Sequence, residues 1–214
     1  NAINVVLEGE GATATKTLSV EEVLESGEKT LGAKYKLVLS DFGQYYGTVS
    51  VAFPAEIAVD KFDNKSIGTS ISVANGDIID FQNPVWEENA TVVINRTRDG
   101  AAADTVDITF RGLDEQIDDV ASTFADASGI EVWVAGTKVD TISKVFDSQT
   151  AITEEGEIQP SAMEYKLTLG NFQTNSGEVV IKIPTNTLFD ESGLTAEAKE
   201  YTIGMVDYIK PVIE

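Results

Sequence analysis

Tyr165–Asp190 reads YKLTLGNFQTNSGEVVIKIPTNTLFD, and the chain carries the same pattern earlier, where Tyr35–Asp60 reads YKLVLSDFGQYYGTVSVAFPAEIAVD. Tyr35 aligns with Tyr165, Phe42 with Phe172, Gly47 with Gly177, Pro54 with Pro184 and Asp60 with Asp190, all at one offset of 130 residues and without a gap. Aromatic, glycine and proline positions that keep register over such a length mark an internal repeat. Each copy predicts two strands around a turn. Leu37 and Leu39 alternate with Lys36 and Val38, then Val49, Val51 and Phe53 alternate with Thr48, Ser50 and Ala52. In the second copy Val179, Ile181 and Ile183 take the inward positions, and Pro54 and Pro184 end the strands because proline cannot donate to a ladder. Phe42 and Phe172 fall in the turn and are expected to plug one end of a core.

Outward from this stretch the pairing continues. Ile3, Val5 and Leu7 match Ile130, Val132 and Val134, now at an offset of 127, so three residues are inserted before Tyr165. Thr-rich segments follow, Ala12–Val20 and Thr137–Val145, and suit half-buried strands. Val20–Gly27 predicts one or two helical turns, with Ser19 as N-cap and Glu22 as its capping-box partner. Closing strands are expected over Ser66–Val73 and Ala198–Val206, and the next acids, Asp77 and Asp207, keep the offset of 130. Material without a counterpart lies between: predicted strands at Thr91–Asn95 and Thr105–Phe110, and near-helical spacing of Ile117, Val120 and Phe124 within Asp114–Phe124.

Short strands with polar turns give an all-β fold of tandem immunoglobulin-like β-sandwich modules with minor helical turns. The modules are expected at residues 1–80, short of its first strands, and 81–210, complete, with 211–214 starting a further module or tail. The strands that precede Ile130 have no match ahead of Ile3. Either the chain begins in the middle of a domain, or strands from another chain complete the first sandwich.

Composition narrows the functional classes. The 214 residues include 36 acidic and 15 basic side chains, a net charge of −21, with no histidine and no cysteine. Such a surface disfavours nucleic acid and anionic membranes. A Ser/His/Asp triad, thiol catalysis, disulfides and thiolate metal sites are impossible. A carboxylate-pair glycosidase is compatible with the composition, but no acids cluster in the pattern it needs, and the chain is expected not to be an enzyme. No run approaches the roughly 20 apolar residues of a membrane span. NAINVVLEGEGA lacks a basic leader, which fits a mature or excerpted piece of a secreted chain.

The strand–proline–acidic-turn pattern resembles the tandem bacterial immunoglobulin-like (Big-type) repeats of cell-surface and secreted proteins. Val51-Ala-Phe-Pro-Ala with Asp60-Lys-Phe-Asp-Asn64, and Ile181-Lys-Ile-Pro-Thr with Asp190-Glu-Ser-Gly193, carry the likeness. Asp63 stands where that pattern has glycine and Leu194 where it has asparagine. The resemblance implies a non-catalytic extracellular stalk, adhesin or filament segment. Its partners would be neighbouring modules of the same or identical chains, or a host or glycan ligand.

Two sets of residues are candidates for binding. Calcium takes carboxylate and carbonyl oxygens gathered in turns, and the acidic turns offer Asp60, Asp63, Asn64, Asp77 and Asp80 after the first copy, and Asp190, Glu191 and Asp207 after the second. No twelve-residue loop of the Asp-x-Asp-x-Asp-Gly type accompanies them, and the alternative is ordinary solvated turn acids. Among aromatics, Trp133 faces outward from its strand, where it could stack on a sugar or lie beneath Asp114–Phe124. Trp86 is expected to pack between modules, and Tyr45 and Tyr46 sit at a predicted loop tip. These four would serve the rival reading, a carbohydrate-binding accessory module. Asn64-Lys-Ser, Asn89-Ala-Thr and Asn95-Arg-Thr match the glycosylation acceptor pattern.

Overall fold

The computed structural model describes residues 3–10, 15–23, 32–60, 62–73, 77–95, 105–172 and 175–207. They form antiparallel sheets with a short 3-10 turn at Ala127–Gly129, an all-β, sandwich-like fold. The chain divides into two compact units, Asn1–Gln82 and Asn83–Glu214.

In the first unit the strands are β1 (Asn4–Glu10), β2 (Thr15–Val23), β3 (Gly32–Ser40), β4 (Tyr46–Phe53), β5 (Thr69–Ser72) and β6 (Ile79–Asp80). β4 is central, with β1 on one edge and β5 and β6 on the other, and β2 pairs β3 in a separate two-stranded sheet. Val49 and Val51 are buried along β4 while their neighbours are half-exposed, the alternation expected of a strand with one face on the core. Phe42, Tyr45 and Val49 form the buried cluster, with Val5, Leu7 and Leu39 packed against it.

The second unit contains β7 (Val85–Trp86), β8 (Thr91–Asn95), β9 (Thr105–Leu113), β10 (Glu131–Val134), β11 (Thr137–Lys138), β12 (Ser143–Ile152), β13 (Ala162–Gly170), β14 (Ser176–Ile183) and β15 (Lys199–Asp207). One sheet runs β11-β10-β14-β15. The other runs β12-β13-β9-β7, with β8 also on β9. Inward residues of β9 (Val106, Ile108, Phe110), β13 (Tyr165, Leu167, Leu169) and β14 (Val179, Ile181, Ile183) are almost fully buried in one core. Aromatic rings fill its centre, Phe110 stacked on Tyr165 at 5.1 Å and tilted against Tyr201 at 5.7 Å.

The two stretches that share a sequence pattern share their backbone. Left-handed conformations recur at Asp41 and Asn171, Glu56 and Asn186, and Asp63 and Gly193. Gly47 and Gly177 have φ of 151° and 137°, and a Cβ there would lie 2.5 Å from the Glu8 carbonyl oxygen or 2.7 Å from the Ala135 Cβ. Val5 pairs with Val51 as Val132 pairs with Ile181, and Val51 pairs with Ile71 as Ile181 pairs with Tyr201.

Several expectations are corrected. Val20–Val23 continues strand β2, because Ser19 and its neighbours pair with Lys36 and its neighbours rather than capping a helix; residues 24–27 lie outside the described residues. The Thr-rich Thr137–Val145 divides into β11 and the start of β12, which belong to different sheets. Asp114–Phe124 forms no helix beyond a single turn, closed by the Ser122 N–H donating to the Asp118 carbonyl at 2.9 Å. Its backbone is used elsewhere: Asp118 N–H donates to the Phe189 carbonyl at 3.0 Å, Glu191 N–H donates to the Gln116 carbonyl at 2.9 Å, and Ile117 bridges Asp190. Ile117 is buried by that pairing while Val120 is 81% exposed. Asp207 corresponds to Asp80 rather than Asp77, since Ser176 pairs with Asp207 as Tyr46 pairs with Asp80. β15 runs unbroken through a bulge at Gly204 (φ 126°), whereas the first unit divides the same path into β5 and β6. The expected start of a further module at 211–214 lies outside the described residues.

Tyr165 ties the core to that irregular segment, its hydroxyl donating to the Ser122 carbonyl at 2.6 Å. Ser122 Oγ in turn donates to the Phe189 carbonyl and accepts from the Phe189 N–H. Burial pushes the Tyr165 hydroxyl well above its ordinary value of 10.0, and burial together with nearby Glu87 does the same to Tyr201. Below pH 10 both folded and unfolded chains keep these protons. Above it the unfolded chain ionises while the folded tyrosines stay neutral, so stability falls as pH rises. Urea unfolding should therefore show a loss of stability beginning near pH 10 that is smaller in Tyr165→Phe. At neutral pH the same substitution should cost about 1–3 kcal/mol by leaving the buried Ser122 carbonyl without its donor.

Candidate functional site

The acidic residues fall into two turns of the same construction. In the first, Asp60 N–H donates to the Asn64 carbonyl at 2.9 Å and Asp63 N–H to the Asp60 carbonyl at 3.1 Å, and Asp60 Oδ1 accepts from the Asn64 N–H at 2.9 Å. In the second, Asp190 N–H donates to the Leu194 carbonyl at 3.2 Å and Gly193 N–H to the Asp190 carbonyl at 3.1 Å, and Asp190 Oδ1 accepts from the Leu194 N–H at 2.7 Å. Each aspartate closes its own loop, which is the ordinary service of an acid in a turn. Asp63 and Gly193 supply the left-handed residue, a conformation that aspartate tolerates better than most side chains.

Their surroundings differ. Asp60 is exposed, and hydrogen bonds from the Asn64 side chain and from the Asn64 and Phe62 backbone hold its carboxyl below the usual range. Asp190 is 1% exposed, under the Asp114–Phe124 segment that pairs with its turn. A carboxylate oxygen of Asp114 lies within 4.8 Å of one from Asp190, and Asp114 Oδ1 also accepts from the Gln116 N–H at 3.0 Å. Asp114 stands far from Asp190 in sequence and outside the acidic turns, so only the pairing of the two loops brings it in. A hard divalent cation takes about six to eight oxygens. The second unit brings together two carboxylates here.

Most of the other acidic candidates lie at the surface. Asp63, Asn64, Asp77, Glu191 and Asp207 are exposed, and Asp80 ends β6 with Oδ1 accepting from the Gln82 N–H at 2.9 Å.

The aromatic candidates divide differently. Trp86 is a core residue of the second unit, tilted against Phe110 and Tyr165 with its Nε1–H donating to the Glu197 carbonyl at 3.1 Å. It does not present a ring to solvent. Tyr45, expected at a loop tip, is fully buried in the first unit with its hydroxyl donating to the Thr48 carbonyl at 2.6 Å. Tyr46 opens β4 as a half-buried ladder residue.

Trp133 does face outward. A lysine lies over it: Lys182 Nζ is 4.6 Å from the ring centroid, and Trp133 Nε1–H donates to Glu131 Oε2 at 3.0 Å. Glu131 also pairs with Lys138, which holds its carboxyl low, and Lys182 pairs with Glu200. The face that a sugar would need is held by a cation and its counter-ions.

Sequence reasoning named no groove, yet the first unit has one. An open apolar groove of about 300 Å³ runs between its two sheets, lined by Leu37, Leu39, Val51, Phe53, Ile71 and Ile79 among others. The equivalent face of the second unit is covered. Ile71 is 56% exposed, whereas Tyr201, which holds the same register position, is 3% exposed beneath Phe110 of β9. The signal was present in the first copy's apolar alternation without the strands that bury it in the second.

Comparison with protein-family models, with curated proteins and with solved structures finds no match to this chain.

The burial of Asp190 makes its turn the more costly one to break. Asp190→Ala should destabilise the second unit by about 1–3 kcal/mol, because the half-buried Leu194 N–H loses its acceptor. Asp60→Ala, on an exposed turn where water replaces the carboxylate, should cost less. Tryptophan fluorescence during urea unfolding reads the first effect directly, since Trp86 and Trp133 both lie in the second unit.

Proposed function

We propose that the chain is a non-catalytic extracellular structural or adhesive segment, part of a stalk, adhesin or filament built from repeated immunoglobulin-like β-sandwich modules. The observation that carries this reading is the recurrence, at one offset, of a complete strand–turn–strand unit with its left-handed residues and its aspartate-closed turn. Repetition of this kind adds length and contact surface, whereas a catalytic constellation has no reason to recur at a fixed period. The surface chemistry agrees. A net charge of −21 keeps an outer face solvated, and the absence of cysteine costs nothing where stability comes from packed sheets. Calcium held by the acidic turns would stiffen such a segment, with Asp190 and Asp114 the best-placed carboxylates within the second unit.

Antibodies raised against the purified chain provide the test. They should label intact cells of the source organism, and brief protease treatment of those cells should remove the signal. Labelling that appears only after lysis would refute the extracellular placement.

A further inference from the structure

We infer that Asn89 accepts an N-linked glycan, and that this glycan covers the neighbouring edge strand β8. The inference rests on the extracellular reading, because asparagine in an Asn-x-Ser/Thr motif is glycosylated on secreted chains.

The chain holds three such motifs, at Asn64, Asn89 and Asn95, and the structure separates them. Asn64 Nδ2 donates to Asp60 Oδ2 at 2.9 Å inside the aspartate-closed turn. Asn95 lies in the β8–β9 ladder, where its Nδ2 donates to Asp107 Oδ2 at 2.7 Å and to Thr105 Oγ1 at 3.1 Å. Asn89 differs from both. It lies in the connection between β7 and β8, it is exposed together with Thr91, and its side chain has no hydrogen-bond partner among the described residues. The connection itself is anchored on either side of it. Glu87 N–H donates to the Arg111 carbonyl at 2.9 Å, the Glu87 carbonyl accepts from the Tyr201 hydroxyl at 2.9 Å, and Ala90 packs on the core. The acceptor amide is thus presented to solvent from a held backbone.

The chemistry requires that freedom. Asn89 Nδ2 attacks the anomeric carbon of a sugar that a glycosyltransferase brings on a phosphate leaving group. The C–N bond forms as the C–O bond to phosphate breaks, the phosphate departs with the electron pair, and one amide proton passes to a base of the transferase. Asn64 and Asn95 would first have to surrender their hydrogen bonds to carboxylates, which are stronger than neutral ones.

What lies beside Asn89 gives the sugar a role. β8 reads TVVIN and pairs with β9 along one edge, and among the described residues no strand pairs with the other. Val93 is 52% exposed, and Ile94 is exposed beside it. The longer edge strands of this unit carry charge, Lys144 and Asp147 on β12 and Lys199, Glu200 and Asp207 on β15. β8 carries none. An uncharged, apolar edge invites pairing with other chains unless something blocks it. A bulky, hydrated glycan on the residue two positions before the strand would block it.

The test isolates the chain from its source cells and maps sugar-bearing peptides by mass spectrometry. The expected result is a glycan on the Asn89 peptide and none on those of Asn64 and Asn95. Asn89→Gln and Thr91→Ala, both exposed changes, should abolish it, and Thr91→Ser should retain it. Light scattering should then show the bare Asn89→Gln chain gaining mass with concentration while the glycosylated chain does not. Adding Val93→Lys to the bare chain should suppress that association.

A bare Asn89 peptide, or sugar carried equally by Asn64 or Asn95, overturns the inference. So does an Asn89→Gln chain that associates no more than the glycosylated one. A chain that labels on intact cells yet is bare at Asn89 refutes this inference alone, whereas labelling that needs lysis refutes the extracellular reading beneath it.

Discussion

An antiparallel strand has two edges to satisfy, and the second unit depends on β13 having both of them paired. β12 takes one and β9 the other, and with β9 come the three side chains that close the core over Tyr165, Leu167 and Leu169. The consequences spread outward. Phe110 stacks on Tyr165, the Tyr165 hydroxyl reaches Ser122, and Ser122 fastens the Asp114–Phe124 segment to the turn that begins at Asp190. Backbone pairing, apolar burial and loop placement are thus one constraint in the second unit. In the first unit β3 is paired with β2 alone among the described residues.

The contrast explains why similar sequences have different surroundings. Asp60 and Asp190 make the same carboxylate-to-backbone hydrogen bond, but one turn is in solvent and the other is covered by Asp114–Phe124. Ile71 and Tyr201 occupy the same register, and only the latter has an aromatic strand above it. Local geometry follows the shared pattern of glycine, proline and aspartate. Burial follows the strands that arrive from elsewhere in the chain.

This division also marks how far the sequence could be read. The alternation of Val49 and Val51, the terminating prolines and the burial of Phe42 and Phe172 were legible, because each depends on residues close by in the chain, whereas Phe53 is only half-buried. The near-helical apolar spacing of Asp114–Phe124 yields a single turn at Asp118–Ser122, because the rest of the segment pairs with the distant Phe189–Glu191 turn. Tyr45 was expected at a loop tip and Trp86 between modules, yet each ring fills the core of its own unit and each polar atom finds a carbonyl acceptor. The approach of Asp114 to Asp190 and the lysine over Trp133 both depend on register between separated strands or loops, which no local pattern encodes. The mismatch of Asp77 with Asp207 has a similar origin, since a glycine bulge in β15 absorbs what the first unit distributes between two strands.

The claim that one sandwich is closed and the other open is tested most directly by urea unfolding followed with two probes on one sample. Tryptophan emission reports the second unit alone, whereas far-UV circular dichroism reports strands in both. With a small buried cluster in the first unit and a large core in the second, circular dichroism should fall in two steps, the earlier one silent in tryptophan emission. A single transition with one midpoint by both probes would show the two units unfolding together, and would contradict an open first sandwich.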